Sequence, residues 1–292
     1  MIRLVGILIG LGFTLVVLVS FGFGAYTAAT EPAEKPAYYA FKQHPHEPEG
    51  GFTFTGAFGR WDQQQLQRGY QVYKEVCSAC HSLDYVAFRN LVDLGYSEAQ
   101  VKAEAESWTV PGIDPNTGEA STRQGAPTDY FPSPYPNNVA AAAANNNAIP
   151  PDLSLITKAR EDGTNYVYSL LAGYADPNTY TNEEGQVFAQ TAPDSMPGTG
   201  LHFNPYFENI NLAMAPPLTA DGQVTYADGT DATVEQMSAD VAAFLTWTAE
   251  PKLIERKKTG WWILAFTLFA TILAWFAKKQ VWSDAKPKRR KD

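Results

Sequence analysis

The chain has 292 residues, 45% of them hydrophobic and 18% charged, which suffices for one large globular domain or two small ones and is too apolar for a disordered chain. The formal net charge of −9 is uneven: residues 30–258 hold 14 basic and 29 acidic side chains, a net of −15, whereas seven basic groups and only two acidic ones follow Lys258. Such a middle argues against nucleic acid as a partner and favours a cationic protein, whose encounter an acidic surface accelerates; a merely soluble acidic surface is the alternative.

Met1-Ile2-Arg3 precedes an uncharged run from Leu4 to about Ala29, the pattern of an export signal with a cleavage point after Thr27-Ala28-Ala29. The run is also long enough to stay as an uncleaved anchor. Either way the chain that follows is exported. The Arg- and Ser-rich amphipathic pattern of an organelle transit peptide is missing, so the signal reads as bacterial.

Asp62 with Gln65 resembles a capping box, and Leu66, Tyr70, Tyr73 and Cys77 share one helical face, which aims Cys77 inward. Ser97 with Gln100 opens a second helix through Trp108. Residues 111–151 hold 8 of the 20 prolines and the Asn/Ala tract Asn137 to Asn147, and are expected to form a long ordered loop. Pro150-Pro151-Asp152 fixes chain direction before a helical pattern through Arg160, and a further helix is expected over Asn165 to Tyr174. Gln223 to Ala227, beside Asp228-Gly229, reads as a small hairpin. Thr233 with Gln236 caps a helix striped by Met237, Val241, Phe244, Leu245 and Thr248 that ends at Glu250-Pro251.

Gly260 to Ala277 is an 18-residue uncharged run that would reach about 27 Å as a helix, close to the hydrocarbon thickness. Trp261, Trp262 and Trp275 sit at its ends, and Lys278, Lys279 and the Lys286 to Lys291 cluster follow. These features predict a spanning helix with a cytoplasmic basic tail rather than a buried core helix.

The chemistry lies in Cys77-Ser78-Ala79-Cys80-His81, which uses both cysteines of the chain. Two thiols one turn apart can form thioethers to the two vinyl groups on one edge of a porphyrin, leaving the adjacent imidazole as proximal iron ligand. A thioredoxin-type pair would need a βαβ context, and a structural zinc site would need a second pair of ligands; the sequence has neither. The sixth iron ligand separates an electron carrier from an open, ligand-binding haem. Met196, Met214, Met237, His44, His46 and His202 are the candidates. Met237 lies in an apolar stripe, and His44 and His46 in a Pro- and Gly-rich lead-in. Met214 is favoured because Pro216 and Pro217 stiffen the backbone after it, with Met196 and His202 the main competitors.

The motifs CSACHSLDYVAFRNLV (77–92), DYFPSPYPN (129–137), NNNAIPPDLS (145–154), DGTNYVYSLLAGY (162–174), FNPYF (203–207) and MAPPL (214–218) follow one another in an order that resembles the cytochrome c1 family, the haem subunits of ubiquinol:cytochrome c oxidoreductase (cytochrome bc1) complexes. The resemblance runs from about Phe54 to Trp282. It implies a mainly α fold: a class I-like c-type cytochrome domain with long ordered loops, plus one C-terminal transmembrane helix. It also implies one covalent haem c on Cys77 and Cys80, with His81 and Met214 as iron ligands. The pocket would be lined by Asn145, Ala148, Pro151, Leu153, Ile156, Arg160 and Tyr166. Arg160 would pair with a haem propionate, where the residues alone suggest an ordinary surface arginine.

The implied partners are cytochrome b, a Rieske iron-sulfur protein as donor, a cytochrome c as acceptor, and the lipid bilayer. Residues 1–29 would then be the export signal, 30–258 a periplasmic haem domain, 259–279 the inner-membrane anchor and 280–292 the cytoplasmic tail. Two departures stand out: Asn147 where the family commonly has Gly, tolerable in a left-handed conformation, and His202 where Tyr is common, which keeps a bis-His alternative open. The expected activity is single-electron relay, not catalysis by the chain alone. A haem enzyme or sensor with a labile sixth ligand, and a tethered cytochrome acting outside a complex, are the rival readings.

Overall fold

The computed structural model describes residues 2–31 and 35–283, so the basic cluster Lys286 to Lys291 lies outside the described residues. The chain begins with α1 (Ile2–Thr30) and reaches α2 (Gln63–Glu75) through a long aromatic-rich lead-in. After α3 (Glu98–Glu106) come the hairpin β1 (Thr109–Ile113) and β2 (Ala120–Gln124), then the short helices α4 (Asn138–Ala144) and α5 (Ile156–Ala159). α6 (Gly163–Ala172), α7 (Phe188–Thr191) and the two-residue strands β3 (His202–Phe203) and β4 (Asn211–Leu212) follow, and α8 (Val234–Ala249) and α9 (Leu253–Trp282) close the chain.

α8 is the axis of the fold. The expected stripe is buried, but so is nearly every other residue, because α2, α5 and α6 all pack on this helix. Its polar side chains are satisfied locally: Ser238 and Thr246 donate to carbonyls one turn back, and the Asp240 carboxylate receives Arg68 from α2. α2 and α8 approach so closely at Gly69 that a Cβ there would lie 2.0 Å from the Asp240 carbonyl oxygen. Only glycine permits that crossing.

Caps set the helix starts, though with one reciprocal box rather than three. Ser97 and Gln100 satisfy each other's backbone N–H groups. Asp62 instead accepts from both Gln64 and Gln65 N–H groups, and the Gln236 amide is drawn away to Asp240.

Two expectations need correction. Residues 111–151 are not one loop: Asp114 accepts from the N–H of Asn116 and Gly118 takes φ +74°, which turns β1 into β2, and Asn137 caps an alanine run into α4. Conversely, 223–227 forms no hairpin. The Gln223 amide bonds the Thr219 N–H and the Pro217 carbonyl, and Asp228 turns to Arg68, so this stretch staples neighbouring loops instead of pairing with itself.

A smaller apolar cluster of Phe41, Phe188, Ala192, Phe203 and Ile210 holds the 176–212 segment against the lead-in. α1 and α9 are the two described helices long and apolar enough to cross a membrane, and both are exposed along their length. The base of α9 is fixed to the globular part: Lys257 Nζ donates to the Phe54 and Gly56 carbonyls at 2.7 Å each, and Trp261 stacks on Phe58 at 5.3 Å.

Candidate functional site

Leu66, Tyr70 and Tyr73 are buried as the periodicity predicts, and Cys77, half-buried, follows them onto the same core as α2 gives way to a 3-10 turn over Cys77–Ala79. The Cys80 and His81 N–H groups both donate to the Cys77 carbonyl, at 3.1 and 2.9 Å, so one tight turn presents both sulfurs and the imidazole. Both cysteines are free thiols. Burial first, and the neighbouring Cys80 second, push the Cys77 thiol up to about 12.

His81 Nδ1 lies 2.8 Å from the Pro151 carbonyl oxygen. A carbonyl only accepts, so this bond places the proton on Nδ1 and leaves the Nε2 lone pair for a metal. Burial lowers the imidazole's pKa, opposed by the Pro151 bond and by Asp152, which keeps the ring in the neutral form that a metal requires. Two free thiols and a pre-oriented neutral imidazole fit a covalent haem.

Asp152, which the sequence reading did not assign to the site, holds this arrangement. Its Oδ2 accepts from Ser82 Oγ at 2.9 Å and the Asp84 N–H at 2.8 Å, and its Oδ1 from the Ser154 N–H at 2.9 Å. Ser154 Oγ in turn accepts from the Tyr85 N–H. One carboxylate thereby ties the strip after His81 to the strip that carries Pro151. The Asx turn implied by Asp152 two residues before Ser154 is its only sequence signal. Asp152→Ala strands these donors and is expected to cost about 1–3 kcal/mol. Thermal melts compared with Asp152→Asn, which keeps an acceptor, check this; equal midpoints for wild type and Asp152→Ala would refute the role.

Met214 is half-buried against the main core two residues beyond β4, and its carbonyl accepts from Tyr174 Oη at 2.9 Å. Tyr174 is a second positioning group that the motif reading passed over. Asn145 Nδ2 donates to Tyr135 Oη at 3.0 Å, which points on to Cys80 Sγ at 3.8 Å. Asn146 and Asn147 take φ +50° and +69°, the left-handed conformation that makes Asn147 tolerable. Ala148 closes that turn by donating its N–H to the Asn145 carbonyl. Leu153 and Ile156 are buried in the core, while Pro151 is exposed and contributes through its carbonyl. Arg160 is exposed, lies beside Tyr166, and makes no ion pair among the described residues, whereas its neighbour Lys158 pairs with Glu250. A guanidinium with no carboxylate partner among the described residues, bonded only to the Ala159 carbonyl and Tyr166, suits a propionate.

Of the other sulfur and imidazole candidates, Met196 and His202 share a cleft with Tyr174 and Pro216, beside the Met214 segment. Met237 is fully buried within α8. Met196 packs on the smaller cluster, and His202 is held in β3 opposite Leu212; both line an open cleft of about 440 Å³. His44 and His46 are exposed as expected, although Ser169 tethers the His46 backbone.

A family model described as the cytochrome C1 family matches residues 52–285. The cytochrome c1 of Rhodospirillum rubrum is 45% identical over 237 residues, covering 80% of this chain and 87% of that protein. The mitochondrial cytochrome c1 haem protein of Saccharomyces cerevisiae is 41% identical over 244 residues, covering 84% of this chain and 74% of its own length. A protein named cytochrome b/c1 from Bradyrhizobium diazoefficiens is 44% identical over 82% of this chain, which spans only 36% of that longer protein.

Proposed function

Because the chain belongs to the cytochrome c1 family, whose members are haem electron-transfer subunits of the bc1 complex, we propose that it relays single electrons from a Rieske iron-sulfur protein to a cytochrome c. It carries one c-type haem. The observation that carries the reading is the commitment of His81 Nδ1 to the Pro151 carbonyl on the turn that presents both thiols. When bound, the haem supplies a one-electron iron couple, whose potential His/Met ligation raises.

The chain's own residues do the rest. Cys77 and Cys80 would hold the group covalently, His81 and Met214 would ligate its iron, and Tyr174 fixes the Met214 backbone. Asn145, Ala148, Pro151, Leu153, Ile156 and Tyr166 would enclose the pocket, and Arg160 would meet a propionate. The domain is a class I-like cytochrome unit, residues 30–258, in the periplasm of a bacterium. The N-terminal segment directs export, α9 is the inner-membrane anchor, and the C-terminus is cytoplasmic. Tethering the domain beside cytochrome b and the Rieske protein turns electron delivery into a local event.

The net charge of −15 over residues 30–258 predicts a cationic acceptor. Stopped-flow oxidation of the reduced holoprotein by a basic cytochrome c is therefore expected to slow by about tenfold or more from low to high salt, as screening removes steering. A rate that is flat or rises with salt would overturn the assignment of the acceptor.

A further inference from the structure

A second cleft, of about 490 Å³, lies where the lead-in to α2 meets the first turns of α9, and Arg60, Trp61, Asp62, Asp93, Ile254 and Lys258 line it. Three of its four charged side chains have no partner among the described residues. Arg60, Lys258 and Asp93 make no side-chain ion pair or hydrogen bond among the described residues, whereas Asp62 is committed to capping α2. The Trp61 indole Nε1 is buried and has no acceptor, although its ring packs on Phe54 at 4.6 Å.

The cleft also has an apolar continuation. Ile254, Lys258, Trp262, Ala265 and Phe269 are three or four residues apart and share one face of α9. Trp262 and Phe269 are 79% and 60% exposed. From Lys258 to Phe269 the helix rises about 16 Å, into the span.

We propose that this cleft seats the headgroup of a zwitterionic phospholipid bearing a primary ammonium, with its acyl chains along the Trp262–Phe269 face of α9. Arg60 and Lys258 donate to the phosphate, and Asp93 accepts from the ammonium. A purely anionic headgroup would leave Asp93 facing like charge, and a free phosphate would leave the apolar face of α9 bare. The inference rests on the reading of α9 as a membrane span.

The test uses the full-length holoprotein, delipidated in detergent and titrated with phosphatidylethanolamine, phosphatidylglycerol or inorganic phosphate, with bound lipid counted by native mass spectrometry. One tightly held phosphatidylethanolamine is expected, preferred over phosphatidylglycerol by about tenfold, roughly one charged hydrogen bond. Arg60→Gln and Lys258→Gln should each weaken retention to a similar degree, and Asp93→Asn should narrow the preference between the two lipids, all with the wild-type haem spectrum. Equal binding of the two lipids, displacement by inorganic phosphate alone, or variants that bind like wild type would overturn the proposal. Carbonate release of the chain from membranes would instead overturn the spanning assignment and remove the site's occupant with it. An inserted chain with unselective lipid binding defeats the lipid site alone.

Discussion

Replacing Met214 by leucine is expected to leave the haem attached through Cys77 and Cys80 while opening the sixth position to carbon monoxide. The reduction potential should fall by on the order of hundreds of millivolts, a sizeable part of the roughly 0.8 V over which axial ligands tune haem iron. Leucine matches methionine in volume, so the packing of this residue on the main core survives and the loss is chemical. The backbone stays in place as well, since Tyr174 Oη grips the carbonyl of residue 214 whatever side chain it carries. Met237 is sealed inside α8, so the neighbours that could take the place of Met214 are Met196 and His202, which line one cleft with Tyr174 and Pro216; with Met214 present neither is needed. His202→Ala should accordingly keep the wild-type spectrum and bind no carbon monoxide. A Met214→Leu protein that stays low-spin and refuses carbon monoxide, but gains that ability when His202→Ala is added, would transfer the ligand role to His202.

The haem-binding turn is legible in the sequence because its chemistry demands fixed spacing. Cys77, Cys80 and His81 must be adjacent, and no fold can disguise that. The long helices are legible for a similar reason: Asp62, Ser97 and Thr233 are local caps, and the 3.6-residue repeat of Leu66, Tyr70 and Tyr73 reports the buried face directly. The hairpin was misplaced because the competing signals are tertiary. Gln223 and Asp228 look like turn formers, yet the structure employs both as side-chain partners of distant or flanking loops, and the real turn hides in a proline-rich stretch at Asp114 to Gly118. Asp152 was missed because its partners, Ser82 and Asp84, are far away in the chain. The role proposed for Arg160 rests on resemblance alone, as composition makes it one charge in a charged run.

Replacing Arg68 by methionine is expected to lower stability by about 3 kcal/mol or more, the cost of leaving a buried carboxylate without its partner. Arg68 Nε and Nη2 clasp the two oxygens of Asp240 at 2.9 and 3.2 Å, Nη1 reaches Asp228 at 2.7 Å, and Asp240 itself is fully buried. Separating the helices to hydrate it would give up the close crossing of α2 and α8 at the next residue, Gly69. The pH dependence has a definite sign. Burial raises the Asp240 pKa above its unfolded value even with Arg68 and Gln236 opposing, so its protonated form favours folding. Its contribution is fully present below the unfolded pKa of about 3.9 and is lost as pH rises through the folded value. Deleting Arg68 moves that folded value further up, so the deficit of Arg68→Met against wild type should be largest near neutral pH and shrink towards about pH 4. Adding Asp240→Leu removes the charge that cannot be solvated and should recover most of the loss at neutral pH. Denaturant titrations of the three proteins at two pH values check all of this, and a deficit that grows on acidification would refute it. The consequence reaches the haem, since α2 runs directly into the turn that carries Cys77: the α2–α8 clasp is what holds the attachment site still.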